Sequence, residues 1–181
     1  MHKQPLNIKE REQCIKDAVY RVDCLMAYDL FLFIHTKYKQ KESVYATGHV
    51  LNPAFETSLV FGRQLLEFLQ IKKDKKADKL KPSNPIENDD VTISRFNPNL
   101  SLLPFNDPLT TINEIHLVRL INTAHKATAH FTKTSTTDET FTSLEQARRV
   151  IYELMTKYVS EILNYPLIWK QREYFLDALQ K

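Results

Sequence analysis

The apolar positions near the start of the chain recur with the period of an α-helix. From Ile8 to about Tyr38 there is no Gly or Pro, and apolar side chains follow the spacing i, i+3, i+4, i+7. They are Ile15, Ala18, Val19, Val22, Leu25, Met26, Leu30 and Phe33. The spacing predicts one long amphipathic helix. Its segment Leu30–Ile34 is apolar all round, which predicts burial in the core or, less often, in a subunit interface.

A second helix is predicted after a linker at residues 39–51. Asn52 and Pro53 have the residue types of an N-cap followed by proline at the first helical position. The helix is predicted to run to about Ile71. Its inward stripe comprises Phe55, Leu59, Gly62, Leu66 and Leu69.

The segment 72–107 is predicted to be a long, partly mobile loop. Its first part, Lys72–Lys81, carries six Lys and two Asp, and four prolines follow at Pro82, Pro85, Pro98 and Pro104. Such a composition offers little apolar area to bury, so no strand is expected. If the lysine-rich stretch were ordered instead, it would be a candidate anion-binding feature.

Three more helices are predicted in the second half. Asp107 and Pro108 repeat the cap-and-proline pattern and open a helix from Leu109 to about Phe131. Thr142–Glu145 has the pattern of a capping box. The helix that it opens has the inward stripe Leu144, Ala147, Ile151, Leu154, Tyr158 and Ile162. Pro166 interrupts this helix, and a short last helix is predicted through Trp169, Phe175 and Leu179.

Composition narrows the fold class to all-α. The 181 residues suit one helical domain, 1–181, and only 2 of them are Gly. So few glycines disfavour many-stranded sheets and phosphate-cradling loops. We therefore predict an antiparallel bundle of about five helices with one long loop. The net charge of +3 permits an anionic partner without indicating one.

Cellular location is predicted from cysteines and hydropathy. Cys14 and Cys24 lie on one predicted helix, about 15 Å apart along its axis, and cannot pair with each other. The longest apolar run is far below the roughly 20 residues of a membrane span, and no leader-like segment opens the chain. A cytoplasmic protein without a membrane partner is expected.

The segment 116–132 contains the candidate catalytic and binding residues. At about 100° per residue, one face of its helix is apolar, and a polar stripe beside it comprises His116, Arg119, Thr123, Lys126 and His130. His125 projects about 140° from His130 on a regular helix, so the two meet only if the helix ends or bends, or if a second chain supplies one.

Histidines beside cations suit phosphodiester chemistry. An imidazole can take or give a proton near pH 7, while a cation stabilises the charge on the phosphorane. No metal or other cofactor is expected, because His116, His125 and His130 lack the spacing of a zinc site. The alternative is that these residues have no functional role and form the solvated polar stripe that every amphipathic helix shows.

Three segments together resemble small bacterial proteins of the HEPN-like helical type. They are Phe55–Leu69, with Arg63 in an RxLxxFL-like pattern, then Asp89-Asp90-Val91, and finally Ala124–Thr132 with its AH pair. The resemblance covers about residues 53–165. It implies a helical bundle that usually forms a homodimer. In active members it also implies a metal-independent endoribonuclease with the motif Arg, four to six residues, then His.

Two alignments place this motif differently. One puts His130 at the family histidine, with Lys126 at the polar position and His125 where active members have arginine. The other pairs Arg119 with His125, which have five residues between them, and makes His130 accessory. The candidate catalytic residues are thus His130, His125 and Arg119, and Lys126, Arg63, Asn122 and His116 are further candidates for binding.

Two functions follow as alternatives, and a purely structural homodimer is a third. The first is a HEPN-like ribonuclease or a catalytically weakened relative, and the second is a non-catalytic module that binds RNA, a nucleotide or a protein. Arg63 is expected either to pair with Glu67, Asp89 or Asp90, or to supply a cation beside His130. A homodimer acting on RNA or another anionic ligand is the expected assembly.

Overall fold

The first helix forms as its spacing predicts. The computed structural model describes residues 6–37, 50–83, 91–129 and 144–164, and helix α1 spans Ile8–Lys37. The predicted inward residues Ile15, Ala18, Val22, Leu25 and Met26 are buried. Phe31 is 41% exposed, so the apolar segment Leu30–Ile34 is not enclosed on every side.

Helix α2 spans Asn52–Phe68 and buries the predicted stripe Phe55, Leu59, Gly62, Leu66 and Leu69. The predicted cap is wrong, because the backbone of Leu51 is already helical and occupies the N-cap position without a side-chain hydrogen bond. The helix also ends before Ile71. Gln70 adopts a left-handed backbone with φ of 62°, which ends the helix and reverses the chain.

A β-hairpin follows, and the prediction that no strand forms is wrong here. Strand β1 spans Ile71–Lys73, strand β2 spans Leu80–Pro82, and they pair antiparallel with Lys73 opposite Leu80. Ile71 and Leu80 are buried and fix the hairpin to the helical core. Ile71 and Leu80 are single apolar residues at the two ends of the lysine-rich run, and one apolar residue among lysines does not predict a strand. Two 3₁₀ turns, Ile93–Arg95 and Pro98–Leu100, lie further along the predicted loop.

The predicted third helix is two helices. Helix α3 spans Pro108–Ile112 and helix α4 spans Glu114–Ala129. The predicted cap is confirmed, because the Asp107 side chain accepts a hydrogen bond from the Leu109 N–H at 2.9 Å. Asn113 separates the two helices, and its side-chain amide donates to the Leu109 carbonyl at 2.8 Å.

Helix α5 spans Glu145–Met155 and continues as a π-helix over Thr156–Ile162. The stripe residues Leu144, Ala147, Ile151, Leu154 and Tyr158 are buried, as predicted. Ile162 is 45% exposed, because the wider π-helical turn rotates it away from that stripe. Thr142 and Ser143 of the predicted capping box lie outside the described residues. So does the predicted last helix.

The all-α prediction is confirmed, with one small two-stranded sheet among the described residues. Helix α1 packs along α2, and α2 packs against α4 and α5. The backbones approach closely at Gly62, where an added Cβ would lie 3.1 Å from Leu25 Cδ1 and 3.2 Å from Leu120 Cδ2. This packing leaves the other side of α4 to the hairpin and to solvent.

Candidate functional site at the polar face of α4

The polar residues of α4, both those of the predicted stripe and its neighbours Asn122 and His125, are not uniformly exposed. His125 and Lys126 are exposed, whereas Arg119 and Asn122 are half-buried. Thr123 is buried, and its hydroxyl donates to the Arg119 carbonyl at 2.9 Å, so it serves the helix rather than the surface. The accessible polar surface therefore lies in the last turns of α4.

Helical continuity decides which side chains share a face. Helix α4 is unbroken from Glu114 to Ala129, so Arg119, Asn122 and Lys126 lie within about 60° of one another. His125 lies about 120° around the helix from Arg119 and about 9 Å along the axis. The structure thus brings Arg119 and Lys126 to one face but does not bring Arg119 and His125 together. His130 lies outside the described residues.

His116 lies two turns before Asn122 and is half-buried. Its Nδ1 is buried and has no hydrogen-bond partner among the described residues. It belongs to the boundary between core and surface, and not to the exposed turn that carries His125.

The hairpin docks on this face of α4, which sequence reasoning missed. The Leu80 N–H donates to Glu114 Oε1 at 2.7 Å, at the start of the helix. Asp78, in the turn between β1 and β2, accepts a hydrogen bond from the side chain of Asn122. Its other partner is Lys73 Nζ at 2.9 Å. The hydrogen bond and charge of Lys73, together with the Asn122 contact, hold the pKa of Asp78 below its ordinary value.

Arg63 has the first of its predicted partners. Its Nε lies 2.9 Å from Glu67 Oε1 one turn along α2, and the two side chains are 40% and 49% exposed. This is an ion pair within one helix, and water reaches both of its side chains. The other predicted partners, Asp89 and Asp90, lie outside the described residues.

Two buried polar clusters were not predicted. Arg148 on α5 donates to both carboxylate oxygens of Asp29 at 2.8 Å and lies over the Tyr28 ring, 5.3 Å from its centroid. The sequence carried a signal for it. Arg148 stands between Leu144 and Ile151 at helical spacing, on the stripe that must be buried.

The second cluster surrounds Asp107. Its carboxylate accepts from Lys157 Nζ at 2.6 Å and from the Tyr158 hydroxyl at 2.8 Å, in addition to its capping bond. Burial acts to raise the pKa of Asp107, but these hydrogen bonds outweigh burial and the pKa lies below its ordinary value. Burial and the Asp107 carboxylate raise the pKa of Tyr158. The cluster ties the start of α3 to the π-helix and is closed to a ligand by its own bonds.

No group of His, Cys, Asp and Glu among the described residues could hold a metal ion. No described helix is long and apolar enough to cross a membrane.

The chain was also compared with known proteins. No family model, curated protein or solved structure matches it. The HEPN-like resemblance therefore rests on the sequence segments alone.

Proposed function

We propose that the protein is a HEPN-like RNA-binding protein whose ligand lies along the polar face of α4. The observation that carries the proposal is that Arg119, Asn122 and Lys126 share one face of an unbroken helix, with Lys126 and the neighbouring His125 exposed. We place this activity in the cytoplasm, in keeping with the free thiols of Cys14 and Cys24.

The chemistry of these side chains suits an RNA backbone. Arg offers a planar fork of donors to phosphate, and Lys offers a compact positive charge. Asn122 adds an amide that can hydrogen-bond to a base or a sugar hydroxyl. Phosphate contacts of this kind give binding that is largely independent of sequence and falls steeply with salt.

Fluorescence anisotropy with a labelled single-stranded RNA tests this proposal. The double variant Arg119→Gln/Lys126→Gln is expected to bind all sequences more weakly, and its slope of log K against log salt is expected to be shallower by about 1.4, at about 0.7 per lost contact. Lys9→Gln/Lys16→Gln, two exposed lysines of α1, is the charge-matched control. Equal losses in both variants would contradict a site on α4.

A second candidate function is cleavage of the bound RNA without a metal. It is favoured by the exposed imidazole of His125 beside Lys126. In this proposal the ribose 2′-oxygen attacks the adjacent phosphorus and the bond to the 5′-oxygen breaks. The 2′-hydroxyl proton passes to a histidine and the 5′-oxygen gains a proton, which leaves a 2′,3′-cyclic phosphate. His130 or His125 is the proposed proton carrier, and Arg119 or Lys126 stabilises the phosphorane.

Cleavage is tested in the presence of a metal chelator on two substrates, an RNA and the strand of the same sequence that carries 2′-deoxyribose. The proposal expects cleavage of the RNA alone and its loss in His125→Ala or in His130→Ala, whichever variant removes the proton carrier. Cleavage of both strands, or activity that needs an added metal, would contradict it. Binding without cleavage would leave the first proposal standing alone.

We further propose that the protein forms a homodimer. Phe31 belongs to the apolar segment Leu30–Ile34, for which a subunit interface was the alternative to the core, and its 41% exposure supports that alternative. Sedimentation velocity is expected to show a dimer at micromolar concentration and a shift toward monomer in Phe31→Glu. A monomer at that concentration would contradict this proposal.

A further inference from the structure

The turn between β1 and β2 has an excess of positive charge that the fold does not neutralise. Its two carboxylates are already paired inside the hairpin, Asp74 with Lys81 at 3.0 Å and Asp78 with Lys73 at 2.9 Å. Lys75, Lys76 and Lys79 are exposed, and none of them forms an ion pair with a described residue. Three cations are thus left facing solvent within five residues.

The backbone of this turn is held in place. The Asp74 N–H donates to the Lys79 carbonyl at 2.8 Å and closes the turn. The Asp74 carboxylate also accepts from the Lys76 N–H at 2.8 Å. The Lys76 N–H bond, together with the hydrogen bond and charge of Lys81, lowers the pKa of Asp74. A turn fixed in this way presents its lysines from a defined position, which reduces the entropy lost when they bind.

The turn lies beside the proposed RNA surface. Asp78 contacts Asn122, which precedes His125 and Lys126 by three and four residues, or about one helical turn. Lys79 is the next residue after Asp78, and Leu80 anchors the strand to Glu114 on the same helix. Lys75, Lys76 and Lys79 of the turn are therefore close in the chain to Asp78, and Lys126 of α4 is close to Asn122, the residue that Asp78 contacts.

We infer that this lysine-rich turn is a second phosphate-binding element, and that one RNA strand contacts both the turn and the last turns of α4. The inference rests on the proposed function and adds to it the residues Lys75, Lys76 and Lys79. Lysines act on phosphates as point charges. The turn therefore supplies affinity and salt dependence, and base preference arises elsewhere.

The test compares two double variants that lose the same charge. Lys75→Gln/Lys76→Gln is expected to bind a labelled single-stranded RNA about 10- to 30-fold more weakly near 0.1 M salt, with a salt slope shallower by about 1.4. The control Lys9→Gln/Lys16→Gln is expected to change affinity less than about 3-fold, because neither lysine belongs to the turn or to α4 and salt screens their effect. Circular dichroism of each variant checks that the helices remain.

The position of the turn is tested separately at Glu114. Glu114→Gln keeps an acceptor for the Leu80 N–H, whereas Glu114→Ala removes it, and both lose one negative charge. Glu114→Ala is expected to bind RNA more weakly than Glu114→Gln, since the lysines are no longer held beside α4. Equal binding by the two variants would overturn the role of the docked geometry.

Failure of this inference is distinguishable from failure of the proposed function. If the parent protein binds RNA and the two lysine double variants are equal, the turn has no role and the α4 site stands. If the parent protein shows no RNA binding at low salt, the proposed function and this inference are both wrong.

Discussion

Burial decides how much each charged residue contributes to the stability of the fold. The Arg148 side chain is 1% exposed and pairs with Asp29, whereas Arg63 and Glu67 form their pair in water. A buried carboxylate that loses its cation keeps the full penalty of desolvation, while an exposed pair is screened and adds little. The sequence prediction singled out Arg63 because a motif contains it. It overlooked Arg148, although the helical spacing from Leu144 to Ile151 places Arg148 on the buried stripe.

Substitution of the two arginines is expected to separate these cases. Arg148→Met should lower the free energy of unfolding by about 3–5 kcal/mol, because it leaves Asp29 largely buried without its partner. Arg63→Ala should lower it by at most about 1 kcal/mol. Urea denaturation of both variants measures the difference, and similar losses would contradict the account of the buried pair.

Asp107 is expected to make stability depend on acid pH. Its folded-state pKa lies below the unfolded value of about 3.9, so its stabilisation is complete above that pH and is lost as the pH falls through the folded-state pKa. Asp107→Asn should therefore lower stability at pH 7 and flatten the fall in melting temperature below about pH 4.

Two further variants serve as comparisons for this pH dependence. Tyr158→Phe removes one hydrogen bond to the Asp107 carboxylate and should shift the acid-induced fall in melting temperature toward higher pH. Asp17→Asn, an exposed carboxylate on α1, should leave the fall unchanged. An unaltered profile in Asp107→Asn would show that other groups control the acid transition.

At the level of elements, the periodicity of hydrophobic residues predicted the helices well, but it did not predict the hairpin or the break between α3 and α4. The stripes of α1, α2 and α5 are buried as their spacing indicates, because core-facing positions must repeat with the helix. The hairpin was missed because its anchors, Ile71 and Leu80, are single residues at the ends of a lysine run. The helix breaks at Asn113, whose side-chain amide donates to the Leu109 carbonyl, and a helical pattern does not reveal such a local bond.

Gly62 is expected to limit how closely α1, α2 and α4 approach. An added Cβ would meet Leu25 and Leu120 methyl groups at 3.1–3.3 Å, and larger groups have no room without displacing them. Gly62→Leu should cost about 1–3 kcal/mol of stability through overpacking. Glu56→Leu, at an exposed position of α2, should change it by less than about 0.5 kcal/mol. Chemical denaturation of both variants is the measurement, and a stable Gly62→Leu protein would contradict this packing.

At the level of the whole molecule, the class of fold followed from the sequence, and the candidate site followed only in part. Arg119 and Lys126 were predicted to share a polar stripe of one helix, and α4 places them on one face, with Asn122 beside them. The lysine-rich turn became part of the same surface only through contacts of Asp78 and Leu80 with α4, which are more than 30 residues distant in sequence. Such long-range contacts leave no local pattern.

RNA is proposed to bind where α4 and the lysine-rich turn meet. An amide-resolved NMR titration of the isotope-labelled protein with a short single-stranded RNA tests it most directly. Chemical-shift changes are expected to concentrate at Asn122, His125 and Lys126 and at residues 75–79, and to diminish as salt is raised. Saturating shifts confined to another surface, or no shifts at low salt, would contradict the account.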